Sequence, residues 1–353
     1  MANYGIIKKI EDEAMRKRTA ERLLSLRQQL DEEVPAKTVN ETLLLATWNI
    51  RDFGEQRTIE SLHYIAEIID HFDLVVIQEI SANHLGGFQT MMSILGDNWS
   101  YIMSDGVTGG TGGNEAMAFV FNTNKVKPTG IVGEIVLPPD SLIDGLQFAR
   151  TPYLASFRAG WFDFKLCTVH IYYGDDAKEK NEEGVVARRI NEIYAIASAL
   201  LSRQKKEDIS YILLGDFNIP DTKGKYFNAL VNDPKKGFFI PNEIQKYPTD
   251  LGQVSHYDQI AFKLKLEQSM VLYKDGEQRA GAFNFTKSVY RHSDEVSDWE
   301  IYRDLYDPKH EKTEKKAITS YKSNRTWQMS DHLPLWVELK IDFSDEYLKT
   351  HIK

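Results

Sequence analysis

The sequence predicts an α/β (α+β) fold of layered sheets flanked by helices, and three observations carry that expectation. From Leu43 onward, short apolar runs alternate with helical stretches. The runs are apolar at consecutive positions, as in strands covered on both faces. No glycine-rich phosphate loop follows the first of them, which favours packed layers over a nucleotide-binding unit.

Taken in order, residues 1–40 form an N-terminal helical extension. Ile7, Ile10, Met15, Leu23, Leu26 and Leu30 recur at roughly helical spacing between Tyr4 and Glu33, and Pro35 lies just past the end. Such a helix packs on the outside of the domain; the competing reading is a protein partner or self-association through it. Residues 41–343 form the main domain. Leu43–Trp48, Leu74–Ile77, Ala116–Phe121, Phe162–Val169, Tyr211–Leu214, Gln259–Leu264 and Leu333–Ile341 are expected as buried strands. Thr58–Phe72 and Val185–Arg203 are expected as amphipathic helices. Residues 274–326 are charged and tyrosine-rich with little apolar periodicity, and are expected as an insertion, either a lid or a disordered or merely decorative loop. Residues 344–353 are a tail.

Composition narrows the class. At 353 residues, 42% hydrophobic and 27% charged, the chain has the makings of a large core in one decorated soluble domain. A single cysteine, Cys167, excludes an intramolecular disulfide framework. The N-terminus carries charge where a secretory signal needs an apolar core, and no apolar run is long enough to span a bilayer. A cytoplasmic protein with no membrane partner is expected. The net charge of -9 argues against broad attraction to polyanions, yet carboxylates that hold a divalent ion contribute to that deficit.

The chemistry lies at strand ends. Asn49, Glu79, His170 and the pair Asp216 and Asn218 each close an apolar run; Asp258 opens one, and Asp331-His332 precedes the last. Alone, each is an ordinary turn former or cap. Six such endings in one chain can line one rim of a layered fold. Glu79, Asp216 and Asp331 offer hard oxygen donors, and Asn49 and Asn218 neutral amides. The set suits Mg²⁺ or Mn²⁺, with Ca²⁺ also fitting, rather than zinc. Two histidines beside carboxylates suit proton transfer to and from oxygen.

Trp48-Asn49-Ile50-Arg51-x-Phe53-Gly54, Val76-Ile77-Gln78-Glu79, Gly215-Asp216-Phe217-Asn218 and Ser330-Asp331-His332-Leu333-Pro334 resemble, in order, the four signature segments of the DNase I-like endonuclease/exonuclease/phosphatase superfamily. The resemblance covers residues 43 to 341 and is strongest to its deoxyribonuclease I branch. It implies a four-layer sandwich of two packed mixed β-sheets with helices on both outer faces. It further implies a metal-dependent endonuclease that hydrolyses DNA, duplex or single-stranded, by in-line attack of water. Glu79, Asn49, Asp216 and Asp331 would hold the metal. His170 paired with Glu115, and His332 paired with Asp258, would serve as general base and acid. Arg51, Arg150 and Asn218 would contact the phosphate.

Two departures bear on substrate. That branch places a minor-groove arginine where this chain has Ser81, and a sugar-packing tyrosine where it has the run Gly109–Gly113. Either the grip has moved to Arg51, Arg57, Lys125 and the tyrosine-rich insertion, or the substrate is single-stranded nucleic acid, RNA or a small phosphoester. A phosphatase or lipid phosphodiesterase of the same superfamily is the alternative enzyme, although His256-Tyr257-Asp258-Gln259 does not match the corresponding segment of the inositol phosphatases. The non-enzymatic alternative is a nucleic-acid-binding module. Such modules usually lose a histidine or a metal carboxylate, and this chain retains both kinds.

Overall fold

The computed structural model describes residues 2–106, 114–174, 182–231, 237–265, 273–274 and 277–352. Its strands are β1 (Thr42–Phe53), β2 (Leu74–Ser81), β3 (Trp99–Met103), β4 (Glu115–Asn122), β5 (Val126–Glu134), β6 (Tyr153–Ala159), β7 (Phe162–His170), β8 (Ser210–Asp216), β9 (Asp258–Lys263), β10 (Tyr273–Lys274), β11 (Glu277–Gln278), β12 (Ala280–Ala282) and β13 (Leu335–Lys340). The α-helices are α1 (Glu13–Glu33), α2 (Ile59–Asp70), α3 (Gly86–Leu95), α4 (Glu182–Gln204), α5 (Lys225–Val231), α6 (Glu314–Gln328) and α7 (Ser344–Thr350).

Two mixed sheets form the centre. One runs β12-β13-β1-β2-β4-β3 and the other β5-β6-β7-β8-β9. β1 and β2 pair in parallel, as do β7 and β8, and the remaining neighbours are antiparallel. Alternate residues of β1 serve different layers. Leu43 and Leu45 pack with Leu166, Ile212 and Phe262 between the sheets. Leu44, Ala46 and Trp48 pack outward with Leu26 of α1 and Ile65 and Ile69 of α2. With both faces covered, the strand has no polar alternation, which is why it reads as a continuous apolar run. On the second sheet Ile193, Ile196 and Leu200 of α4 close the opposite outer face. The expected four-layer, DNase I-like sandwich is therefore the observed fold.

The expected strands are all present. β3, β5, β6 and β12 were not legible. β5 is mostly exposed and carries Pro128, Gly130 and Gly133, so it lacks the apolar signature. The single helix expected over Tyr4–Glu33 is a correction: a 3-10 segment covers Tyr4–Lys9, Ile10 is extended, and α1 starts where the Asp12 side chain accepts from Met15 N at 3.0 Å. α1 joins the outer core through Leu23, Leu26 and Leu30, and Arg18 grips the buried carboxylate of Glu60 with two hydrogen bonds. Parts of residues 279–326 are also packed rather than decorative, and residues 314–328 form α6. Phe283, Phe285, Val289, Tyr290, Tyr302 and Tyr321 enter the same core, with Tyr290 and Tyr302 stacked at 4.2 Å. The tyrosines expected as a possible grip on substrate are thus largely interior. Residues 275–276 lie outside the described residues, as does the Gly109–Gly113 run. Among the described residues no helix is long and apolar enough to cross a membrane.

Candidate active site

Strand register sets three reactive side chains side by side. His170 is opposite Asp216 on the parallel pair β7–β8, and Asp216 is opposite Asp258 on the antiparallel pair β8–β9. Gly215 permits this closeness: at φ +129° it approaches Val169 so closely that a Cβ would meet the Val169 carbonyl at 2.2 Å. The other sheet supplies Asn49 and Glu79. Pairing of β1 with β2 shifts register just after Asn49, and that of β2 with β4 between Ile77 and Ile80. Glu79 sits in that irregular stretch with φ +61°, and Asn218 beyond β8 has φ +53°. Both are left-handed conformations that cost a non-glycine residue stability and aim a side chain off the regular pleat.

These residues form one polar cluster. Asn49 Nδ2 donates to Glu79 Oε1 at 2.8 Å and to Asp216 Oδ2 at 3.0 Å, joining the two sheets. Beneath them Gln78 Nε2 donates to Thr47 Oγ1 on its own sheet and to Thr168 Oγ1 on the other. His170 Nδ1 lies 2.9 Å from Glu115 Oε2, and its Nε2 is 3.6 Å from Asp216 Oδ2 and 3.7 Å from Glu79 Oε1. His332 mirrors it: Nδ1 is 2.7 Å from Asp258 Oδ2 and Nε2 is 3.8 Å from Asp216 Oδ2. Each imidazole thus has one nitrogen within 2.9 Å of a carboxylate oxygen and the other facing Asp216.

The electrostatics follow from burial among acids. Burial favours the neutral ring of His332, but the carboxylates of Asp258, Asp216 and Asp331 outweigh it and raise the pKa well above 6.5. Burial opposes ionisation of Glu115 too, yet His170 and Arg150 bring it down to about 2; Arg150 holds it through Nε and Nη2 at 2.6 and 3.1 Å. Because that folded-state pKa is depressed, Glu115 adds stability above its ordinary pKa of 4.5, and the contribution is lost as pH falls toward 2. Chemical denaturation should therefore show wild type more stable than Glu115→Gln at pH 6, with the gap closing between pH 4.5 and pH 2. A gap that is constant with pH would refute the pairing.

All the expected site residues lie in or beside this cluster, though not in equal standing. Asp331 is at the rim, with its carboxylate half exposed and 3.5 Å from Arg51 Nη1. Arg51 is held by Thr326 Oγ1 at 2.8 Å and lies over the ring of Trp327. Asn218 donates through Nδ2 to the Ile171 carbonyl and through its backbone N–H to Asp216 Oδ1, so it braces the His170 and Asp216 loops. Arg57 and Lys125 are corrected as candidate substrate contacts. Arg57 is buried and donates to the carbonyls of Arg51, Asp52 and Met329. Lys125 is engaged by Asp73 and the Thr38 carbonyl.

Several supports escaped the sequence. Ser330 Oγ donates to the Asn49 carbonyl at 2.6 Å, and Thr249 Oγ1 accepts from Asp258 N. On α4, buried Arg189 donates to the carbonyls of Tyr172, Tyr173 and Asn218. Buried Glu192 accepts from Ala149 N and Tyr172 N. In sequence these two are charged residues of an amphipathic helix, with nothing to distinguish them from a solvated face.

The donor chemistry fits a hard divalent cation. The carboxylates of Glu79 and Asp216 meet at the Asn49 amide, and among the described residues the Oδ1 of buried Asn49 has no hydrogen-bond partner. Asp216, Asp258 and His332 can also bring one ligand atom each within 4.8 Å of one another. Asp258 Oδ2 and His332 Nδ1 are already paired with each other, which leaves Glu79, Asn49 and Asp216 as the better set.

The Endonuclease/Exonuclease/phosphatase family model matches residues 46–249, a stretch that includes Asn49, Glu79, Glu115, Arg150, His170, Asp216 and Asn218. A deoxyribonuclease of a Thioalkalivibrio species is 31% identical over 183 residues, covering 50% of this chain and 46% of that protein. Deoxyribonuclease-1 of Bos taurus is 26% identical over 192 residues, covering 50% and 61%. The match thus spans between about half and three-fifths of these curated relatives. Among solved structures, a mannosyl-6-phosphatase of Bacteroides thetaiotaomicron has a TM-score of 0.54 at 19% identity over 84% of this chain and 99% of that one. An endonuclease/exonuclease/phosphatase family protein of the same organism has a TM-score of 0.56 at 18% identity over 86% and 99%. At these identities the structural likeness establishes the fold alone.

Proposed function

We infer, since the chain belongs to the endonuclease/exonuclease/phosphatase family of hydrolases, that it is a divalent-metal-dependent endonuclease that hydrolyses the phosphodiester bonds of DNA. The observation that carries this reading is the pair of carboxylate-anchored imidazoles, His170 and His332, both facing the buried carboxylate of Asp216. The deoxyribonucleases among its relatives support DNA as the substrate.

Glu79, Asp216 and Asn49 would hold Mg²⁺ or Mn²⁺, with Ca²⁺ admissible on the same oxygen donors and Asp331 at the rim. When bound, such an ion polarises a phosphoryl oxygen and stabilises charge on the leaving oxygen. The protein handles the protons. One imidazole takes a proton from the attacking water as its oxygen bonds to phosphorus; the other gives a proton to the sugar oxygen as the opposite P–O bond breaks. Glu115 and Asp258 fix which nitrogen of each ring faces the reaction. Arg150 brings positive charge beside His170, and Asn218 and Arg51 complete the phosphate-facing rim.

Incubating supercoiled plasmid with the protein and Mn²⁺ should yield nicked circles, and EDTA should abolish the product. Release of inorganic phosphate from monoesters without any nicking would replace this reading with a phosphatase.

A further inference from the structure

Two exposed aromatic rings flank the cluster, and each has a guanidinium against one face. On the side of the six-stranded sheet, Trp327 closes α6 only a few residues before Asp331 and His332. Its side chain remains 38% exposed, and Arg51 Cζ lies 4.1 Å from its ring centroid. Arg51 is fixed there by Thr326 Oγ1 and by the Asp331 carboxylate. On the side of the five-stranded sheet, Tyr173 follows His170 by three residues. It is 51% exposed, and Arg189 Cζ lies 5.0 Å from its ring centroid. Arg189 in turn is tied to the backbone of Tyr172 and Asn218. Most aromatic rings among the described residues are buried; these two stay open, a few residues from Asp331 and from His170.

A large apolar ring left in water beside a polar site loses burial energy, and a flat partner that covers its open face recovers it. A nucleobase is such a partner, and base–aromatic stacking tolerates any sequence because every base has a π-face. In a duplex those faces are already stacked on neighbouring base pairs. An unpaired strand presents them freely, with a phosphate between successive bases.

We propose that Trp327 and Tyr173 are base-stacking subsites on either side of the scissile phosphate, which direct the enzyme to unpaired strands of nucleic acid. This deepens the endonuclease reading and rests on it for the place of the phosphate. Each arginine holds its ring from behind, and Arg51 at the rim adds positive charge toward the backbone.

The test uses the full chain and two readouts. The first is binding, in EDTA, of a fluorescein-labelled unpaired oligothymidine and of a fully paired hairpin of similar length. The second is Mn²⁺-dependent turnover of the same oligonucleotides and of bis(p-nitrophenyl) phosphate, which has no bases. Wild type should bind the unpaired strand more tightly than the hairpin. Trp327→Ala and Tyr173→Ala should each weaken that binding by about tenfold, and Trp327→Phe should retain most of it. The loss in kcat/KM on the oligonucleotide should exceed the loss on the small diester by about the same factor. Equal losses on both substrates would mean the rings only support the site and would overturn the proposal; so would unchanged binding in the alanine variants or a preference for the hairpin. Ring-dependent binding of the unpaired strand with no cleavage of any nucleic acid would support the subsites and refute the endonuclease reading instead.

Discussion

Replacing His170 with alanine is expected to slow Mn²⁺-dependent plasmid nicking by roughly 10²- to 10⁴-fold, the contribution of one positioned acid or base. His170 is the last residue of β7 and nearly fully buried, with Nδ1 on Glu115 and Nε2 facing Asp216 and Glu79. Its loss leaves Glu115 still held by Arg150 through two hydrogen bonds, so the local fold has a partner for its buried acid. The far-UV circular dichroism and thermal midpoint should therefore change far less than the rate. Glu115→Gln should also slow nicking, because the ring then loses the negative charge that favours its protonated form and fixes its orientation. The double variant should be little slower than His170→Ala alone, since the two residues act as one unit. Nicking by His170→Ala at the wild-type rate would sink the assignment of proton transfer to this site.

Gly215→Ala is the substitution expected to cost the fold most, by about 3–5 kcal/mol in denaturant unfolding. The added Cβ would meet the Val169 carbonyl at 2.2 Å, and φ +129° is a conformation that alanine avoids. Neither clash can be relieved by a side-chain rotation, because the partner is the backbone of the adjoining strand. β7 and β8 would have to separate at their ends, and those ends carry His170 and Asp216. Activity should fall with stability and should not recover at low temperature. A variant with near-native stability would show that the strand ends approach less closely than described.

These two positions show how much the sequence could reveal. His170 closes an apolar run with an unusual polar residue and Gly215 opens the segment Gly215–Asn218, so both were visible in the sequence. What made them matter was the register that sets β7 beside β8. α1 was legible from its periodicity, but its N-terminal break was not, because one capping aspartate among many charges carries little signal. Residues 277–326 misled in the opposite direction: tyrosines and charges without a clear period suggested a surface loop, whereas Tyr290 and Tyr302 on irregular backbone and Tyr321 on α6 stack inside. Arg57 and Lys125 looked like free cations because a side chain's partner is rarely its neighbour in sequence; theirs include Met329 and Asp73, far along the chain.

By itself the sequence determined the inventory: buried strands ending in acids, amides and imidazoles, with hard donors suited to a divalent ion and histidines suited to moving protons. That much is local, because residue type and strand periodicity are read over a few positions. The tertiary structure decided which of those groups meet. Asn49 bridges Glu79 and Asp216 only because two sheets pack face to face, and for the same reason His332, just before β13 of one sheet, meets Asp216 and Asp258 of the other, where β7 and β8 set His170 beside Asp216. It also decided which arginines brace the interior and which stand at the rim. Distance along the chain contains no record of those contacts; burial and hydrogen-bond satisfaction in the packed fold select them.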